Sequence, residues 1–461
     1  MGVFRRTDLL AAERINQKSW MALKSLAGVR RRQVGGLLHD RLPQAVMHLL
    51  RTTGEFAERR GVSIYVVGGF VRDLLLGIDS LDIDLVVEGD GIAFARALAK
   101  DKGGRVTAHE RFGTAVLLLP DGFKLDVATA RTEYYEYPTA LPTVQQCSIK
   151  KDLHRRDFTI NALAVGLNPR MFGRLIDFYG GQRDLKARVI RVLHSLSFVE
   201  DPTRVFRAIR FELRFGFHLG QETLALIKGA VKMELFPRLS GRRLLNELRY
   251  LFSERTPRHA VRRLADFDLL RSIHPTLSWS SRLNRRLIEI EERLVWYKIF
   301  CVDQTISPWL LYVMTLAEAL PEPAVQEVLE RFPFTESERT DITAARFAAQ
   351  HVCRQLSRRP PLRPSETVRL LTGLSDEFLV FLLSKNTSAS AKREISAYLT
   401  TYRTVRPVLK GKQLKVLGFT PGPQYSAILA RLTEARLDGS VSSEAEERDL
   451  IARLVEENRA G

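Results

Sequence analysis

Between Val66 and Gly89 the chain reads VVGGFVRDLLLGIDSLDIDLVVEG, and no other stretch limits the fold so tightly. Alternating apolar residues at Ile64–Val67 and Leu81–Val87 read as two strands, with Gly68-Gly69 and a helix bearing Arg72 between them. A Gly-Gly directly after a strand lets the backbone approach a phosphate closely, and Arg72 can offer a charged fork to the same group. Asp82 and Asp84 stand two apart on a strand, so they share one face while Leu81, Ile83 and Leu85 point to the core. Such a pair can hold one or two magnesium ions. Taken singly each feature is ordinary, since a Gly-Gly is usually a turn and an Asp-x-Asp on a strand is usually solvated. Their succession in one short stretch is what a single phosphate–metal site requires.

Two further strands are expected at Ala115–Leu119 and Phe123–Ala128, joined by a Pro120-Asp121-Gly122 turn. The second places another carboxylate, Asp126, where strand adjacency can bring it beside the Asp82/Asp84 pair. From about Asp201 onward the period becomes helical, as in Leu244, Leu245, Leu248 and Leu251, then Leu264, Leu269 and Leu270. The fold class is therefore α+β, an α/β head followed by a long all-α arm. Hinges in that arm are expected at Ser357–Pro364, Asn386–Ala391 and Thr420–Pro423.

Charge decides the kind of partner. The 461 residues carry 71 basic and 53 acidic side chains, a net +18, which favours a polyanion, nucleic acid first and an anionic membrane surface second. No apolar run is long enough to span a bilayer, and Trp309–Met314 and Phe378–Leu383 have the length of core helices. No signal-peptide region follows Arg5-Arg6, and Cys147, Cys301 and Cys353 show neither CxxC nor His-Cys metal spacing. A cytoplasmic protein without disulfides is expected. Trp20, Trp279, Trp296 and Trp309 are expected to pack in cores rather than stack bases.

The Val66–Gly89 stretch resembles the nucleotidyltransferase signature of the DNA-polymerase-β superfamily, specifically class II tRNA nucleotidyltransferases and bacterial poly(A) polymerases. DLHRRDFTINALA, Asp152–Ala164, resembles that family's second motif, and EDPTRVFRAIRF, Glu200–Phe211, its base-reading motif; LSGRRLLNELRYLF, Leu239–Phe252, resembles a neck-helix motif. The resemblance implies magnesium, expected as two ions, on Asp82 and Asp84, with Asp126 a third ligand or base. It implies a nucleotide pocket of Gly68, Gly69, Arg72, Arg156, Asp157, Asn161, Asp201, Arg204, Arg207 and Arg210. The positions of Asp201 and Arg204 would pair with the incoming base. An Asp acceptor beside an Arg donor suits cytosine or adenine, which present an amino group next to a ring nitrogen, and rejects uracil and guanine. On the residues alone, Asp201-Pro202 also reads as N-cap and N1 of a helix, and Arg204, Arg207, Arg210 and Arg214 as one solvated basic face.

The implied reaction is attack of an RNA 3′-hydroxyl on the nucleotide α-phosphate, with ATP, and possible CTP, as substrate. Residues 414–439 resemble the tail with which tRNA nucleotidyltransferases grip the tRNA elbow, and Arg242-Arg243, Arg262-Arg263, Arg285-Arg286 and Arg358-Arg359 suit backbone contacts. HERFGTAVLLL, His109–Leu119, stands where proteobacterial poly(A) polymerases carry a short basic, His-containing motif, so poly(A) synthesis is the weaker reading. GVFRRTDLLAA, Gly2–Ala12, resembles the end of a CBS repeat, a module found with DHH domains ahead of some A-adding enzymes. With the loop Arg131–Pro138, this favours addition of the terminal A alone over full CCA or CC addition. It leaves open whether the chain is a fragment.

The expected organisation is a leader at 1–45, a catalytic head at 46–190, a nucleotide-selecting neck at 191–275, a helical body at 276–385 and a tRNA-binding tail at 386–461. Expected partners are the tRNA 3′ end and elbow, with no membrane, DNA or obligate protein partner. The rival classes are a silent RNA-binding module, which the intact Asp82, Asp84 and Arg72 oppose; a small-molecule nucleotidyltransferase, for which the basic arm is surplus; and an HD phosphohydrolase. The last rests on His39-Asp40 alone, with no second His-Asp dipeptide downstream.

Overall fold

The computed structural model describes residues 33–134, 143–302, 304–385, 388–416, 419 and 422–460. Two compact units emerge, Met1–Leu239 and Ser240–Gly461, their boundary falling inside the stretch expected as a neck. Gly2–Ala12, Trp20 and the outer part of the Arg131–Pro138 loop lie outside the described residues.

The first unit begins with helices α1 (Gly35–Arg41) and α2 (Gln44–Arg59), then β1 (Ser63–Val67), α3 (Gly69–Leu76), β2 (Ile83–Glu88) and α4 (Gly91–Lys102). Strands β3 (Arg105–His109), β4 (Thr114–Leu118) and β5 (Lys124–Thr129) follow, then the hairpin β6 (Arg131–Tyr134) and β7 (Thr143–Gln146). After α5 (Ile149–His154) come β8 (Ala164–Gly166), β9 (Leu175–Ile176), α6 (Gly181–Ala187), α7 (Ser197–Glu200), α8 (Thr203–Phe215) and α9 (Gln221–Lys232). The main sheet runs β3-β4-β5-β2-β1-β8-β9. Among the described residues of this sheet only β2 and β5 pair in parallel, and every other neighbour is antiparallel. The strands expected from apolar alternation are all present, each within two residues of its expected ends.

One expectation is corrected at β2. The ladder starts at Ile83, so Leu81 is not a core residue but 47% exposed, and Asp82 stands one position before the strand, its backbone N–H near Ser80 Oγ at 3.4 Å. Ile83 and Leu85 do face the core. His39 lies on α1, exposed, 3.8 Å from Asp40, as a surface helix residue.

The second unit is helical throughout its described length, from Gly241–Phe252 to Glu444–Ala460. Its leucine stripe is buried as the period requires: Leu244, Leu245, Leu248, Leu251, Leu264, Leu269 and Leu270. Leu310–Met314 and Phe378–Leu383 are core helices, and no described helix is long and apolar enough to cross a membrane. Near the C-terminus Leu409, Leu414, Leu432 and Ile451 form a small core of their own.

Two expectations fail in this unit. Trp279, Trp296 and Trp309 are only half-buried; Arg262 lies 5.1 Å over Trp279 and Arg249 4.6 Å over Trp309, so a cation covers one face of each of those two rings. Arg286 is not an outward RNA contact, because it is half-buried, paired with Glu318 at 3.1 Å and Glu289 at 2.5 Å, and donates to the Ser384 carbonyl.

Candidate active site

Parallel pairing of β2 with β5 sets Asp84 directly opposite Asp126. Adjacent in-register residues project to the same face, so two carboxylates meet at the edge of one cavity. That cavity, about 450 Å³, is lined among others by Asp84, Asp126, Arg156, His109, Thr114 and Val116. Burial pushes the Asp84 carboxyl up to about 6; Arg156 pulls it down, while Asp82 and Asp126 push it further up. Asp126 is tied at 2.6 Å to Lys124, two residues away on the same strand face. Among the described residues no three His, Cys, Asp or Glu side chains converge as a ready-made metal site. The donor set nevertheless fits a hard divalent ion: exposed Asp82 and half-buried Asp84 supply only oxygen, and the mutual repulsion at Asp84 is what such an ion would relieve.

Gly68 closes β1 with φ +70°, and a Cβ there would lie 2.7 Å from Arg156 Nη1. The positive φ demands glycine, whereas the tip of the Arg156 side chain could move aside. Gly69 is different: a Cβ would meet only Arg72 Nη2 at 3.5 Å, an ordinary contact.

Arg72 does not present its fork to the cavity. Its Nε and Nη2 grip Asp73 at 2.8 and 2.9 Å, and Nη1 donates to Asn161 Oδ1 at 2.7 Å. The guanidinium also lies 5.2 and 4.7 Å over Phe211 and Phe215 of α8. All three guanidinium nitrogens of Arg72 are therefore engaged by protein partners. The chain of contacts continues: Asn161 donates to Asp157 Oδ1 at 2.9 Å, and Arg207 of α8 holds Asp157 Oδ2 with Nε at 2.9 Å and Nη2 at 2.5 Å. Burial pushes the Asp157 carboxyl up, but Arg207, the Asn161 amide and Arg204 override it and hold the group at about 2. Asp73–Arg72–Asn161–Asp157–Arg207 is thus one polar relay joining α3 to α8.

The residues expected to read the base are also held by the protein. Helix α8 begins at Thr203 with Pro202 as N-cap, one residue later than expected. Asp201 nevertheless serves that helix end, accepting from Thr203 N at 3.0 Å and Thr203 Oγ1 at 2.5 Å. Arg204 is buried and donates to Ser197 Oγ at 2.8 Å and the Arg155 carbonyl at 2.9 Å. The four arginines are therefore not one solvated face: Arg204 is buried, Arg207 grips Asp157, and Arg210 and Arg214 lie over Phe211 and Phe215.

Comparison with known proteins is consistent along the whole chain. Residues 64–191 match the Poly A polymerase head domain, and residues 216–280 match the family described as a probable RNA and SrmB-binding site of polymerase A. The chain is 32% identical to the A-adding tRNA nucleotidyltransferase of Halalkalibacterium halodurans, over 88% of this chain and 92% of that one. It belongs to the tRNA nucleotidyltransferase family. Within that family it is 43% identical over 99% of its length to the A-adding enzyme of Geobacter sulfurreducens, of which it spans 53%. A solved CCA-adding enzyme without ligand aligns over 92% of this chain and 99% of its own, at TM-score 0.73 and 37% identity. The Thermotoga maritima CCA-adding enzyme complexed with tRNA aligns over the same share of this chain, at TM-score 0.69 and 35% identity.

Several residues around this cavity escape a reading of the sequence. Asp73 anchors Arg72, Lys124 pairs with Asp126, and His109 and Thr114 line the cavity. Fully buried Asp152 holds Arg155 at 2.7 Å and Arg156 at 3.0 Å. Arg155 and Arg156 lower the Asp152 carboxyl, against the upward push of burial. The helical spacing Asp152–Arg155–Arg156 and the strand spacing Lys124–Asp126 were the available signals.

Proposed function

We propose that this chain transfers one adenylate from ATP to the 3′ end of a tRNA ending in CC and releases pyrophosphate. What carries the reading is identity of 43%, sustained over 99% of the chain, to the A-adding enzyme of Geobacter sulfurreducens. The 3′-hydroxyl oxygen bonds to the α-phosphorus, the α–β anhydride breaks, and the hydroxyl proton leaves to a carboxylate. In this reading Asp82 and Asp84 hold magnesium, which lowers the hydroxyl pKa and neutralises charge on the triphosphate. Asp126, opposite Asp84 in the ladder and 2.6 Å from Lys124, takes the proton in this reading. Arg156, on the cavity wall beside the Gly68 turn, meets the triphosphate.

Asp201 and Arg204 select the base. Arg204 is held between Ser197 and the Arg155 carbonyl, which fixes its rotamer, and a base would meet only the N–H groups those bonds leave over. Asp157, Asn161, Arg207 and Arg210 shape the pocket from behind, and Arg72 acts as a positioning residue through the relay rather than as a phosphate ligand. In this reading the chain is organised as head, neck, body and tail, with tRNA as the partner and a soluble cytoplasmic setting.

Full CCA addition is the second reading, favoured by the CCA-adding enzymes that align over 92% of the chain. An extension assay separates the two, using one tRNA lacking CCA, ending in C, or ending in CC, each with ATP, CTP or both. The proposal expects a single A, added only to the CC-ending tRNA. Completion of CCA on all three would replace it with CCA addition. Long A-tails on unrelated RNA would make the chain a poly(A) polymerase, and binding without incorporation would overturn catalysis altogether.

A further inference from the structure

Four aromatic rings stand in a row outside the acid cavity. Phe178 meets Tyr179 edge-on at 6.2 Å, Tyr179 meets His154 at 5.4 Å, and His154 stacks on His194 at 5.4 Å with only 25° between the planes. The Tyr179 hydroxyl donates to the Lys150 carbonyl at 2.8 Å, which fixes that ring, and Lys150 Nζ lies 5.8 Å over Phe178. Burial, with Arg204 and His154 nearby, holds His194 down at about 4, so this ring is neutral at physiological pH and offers a π face.

Rings that serve only a core are covered on all sides, whereas Phe178 is 48% exposed and His154 is exposed as well. The row also leads somewhere. His194 Nε2 lies 3.5 Å from Glu200, the neighbour of Asp201, while His154 immediately precedes Arg155, whose carbonyl holds Arg204, and Arg156, which lines the cavity. It therefore runs from solvent toward the chain segments that carry Arg155, Arg156 and Asp201. Exposed aromatic side chains flanked by lysine suit a strand of unpaired nucleotides, with bases on rings and phosphates on cations.

We infer that the Phe178–Tyr179–His154 row is the bed on which the unpaired 3′-terminal nucleotides of the acceptor RNA stack before transfer. The inference rests on the RNA-transfer reading, but it can be tested without transfer. A CC-ending tRNA whose last base is pyrrolocytosine, a fluorophore quenched by stacking, is titrated with the full chain in the absence of ATP. Quenching is expected on binding. His154→Ala and Phe178→Ser should each weaken binding of this tRNA at least about fivefold and reduce the quench, whereas His154→Phe, which keeps a ring, should retain both. In steady state the first two should raise KM for tRNA and not for ATP. Unchanged quench and affinity in both variants would overturn the inference. So would a rise in KM for ATP with tRNA binding intact, which would give the rings to the incoming nucleotide. If the wild type quenches the probe but adds no A, the function reading fails and the stacking bed stands.

Discussion

At the scale of single residues, two carboxylates sit at opposite extremes. Asp84 is pushed up to about 6 by burial, with further repulsion from Asp82 and Asp126, so its ionised form strains the folded protein. The folded state binds that proton more tightly than the unfolded chain. Stability is therefore lost as pH rises from the unfolded value near 4 through about 6, and the cost is complete above it. Asp84→Asn should accordingly stabilise the metal-free protein at pH 8 by on the order of 2 kcal/mol, and the gain should vanish near pH 4, as read from melting curves in EDTA. The same variant should lose transfer by at least about 10³-fold. Asp157 behaves oppositely. Its carboxyl is held at about 2 despite burial, with Arg207 the largest favourable influence, so its stabilising contribution is present above about pH 4 and lost as pH falls through 2. Arg207→Met would leave a buried carboxylate without its ion partner and should cost about 3 kcal/mol at pH 7 in urea unfolding. That loss should shrink in acid, where Asp157 can take a proton in the variant.

At the scale of elements, close approach of backbones decides what the pattern alone does not show. Helix α2 crosses the segment after β8 at Gly54, where an added Cβ would come within 1.9 Å of the Leu167 carbonyl oxygen. Backbone cannot step aside as a flexible side chain can, so Gly54→Ala should cost about 3 kcal/mol and lower the melting temperature, although alanine is the better helix former. The strands and the α+β class were legible because alternation and glycine punctuation act locally. The pairing of Asp84 with Asp126 was legible for the same reason, as two strands each carrying a carboxylate. The start of β2 was not, because Leu81 continues the alternation perfectly while the ladder begins two residues later. Arg72 was misread because a motif shows which side chains are near a phosphate-binding turn and not which neighbour claims them first. Asp73 is the next residue, yet only the fold turns its carboxylate onto the guanidinium.

At the scale of the whole molecule, the net charge survives the internal ion pairs. Each pair such as Arg286–Glu318 or Arg207–Asp157 removes one cation and one anion, so the excess of 71 over 53 remains at +18 however many pairs form. Composition thus points to a polyanionic partner even where it does not place individual arginines. Which cations are spent inside could not be read from Arg-Arg dipeptides, because a partner such as Glu318 lies 32 residues away in the chain. The uncompensated cations are the ones that can displace counterions from RNA. If about six phosphates are neutralised, tRNA affinity should fall about 10³-fold between 50 and 200 mM salt. Filter binding across that range measures the slope directly. Substituting Arg286 should leave the slope unchanged, because its guanidinium is already enclosed by Glu318, Glu289 and Ser384. Substituting an arginine that meets a phosphate should lower the slope by about one. A flat salt dependence would mean that the excess positive charge does not face the RNA.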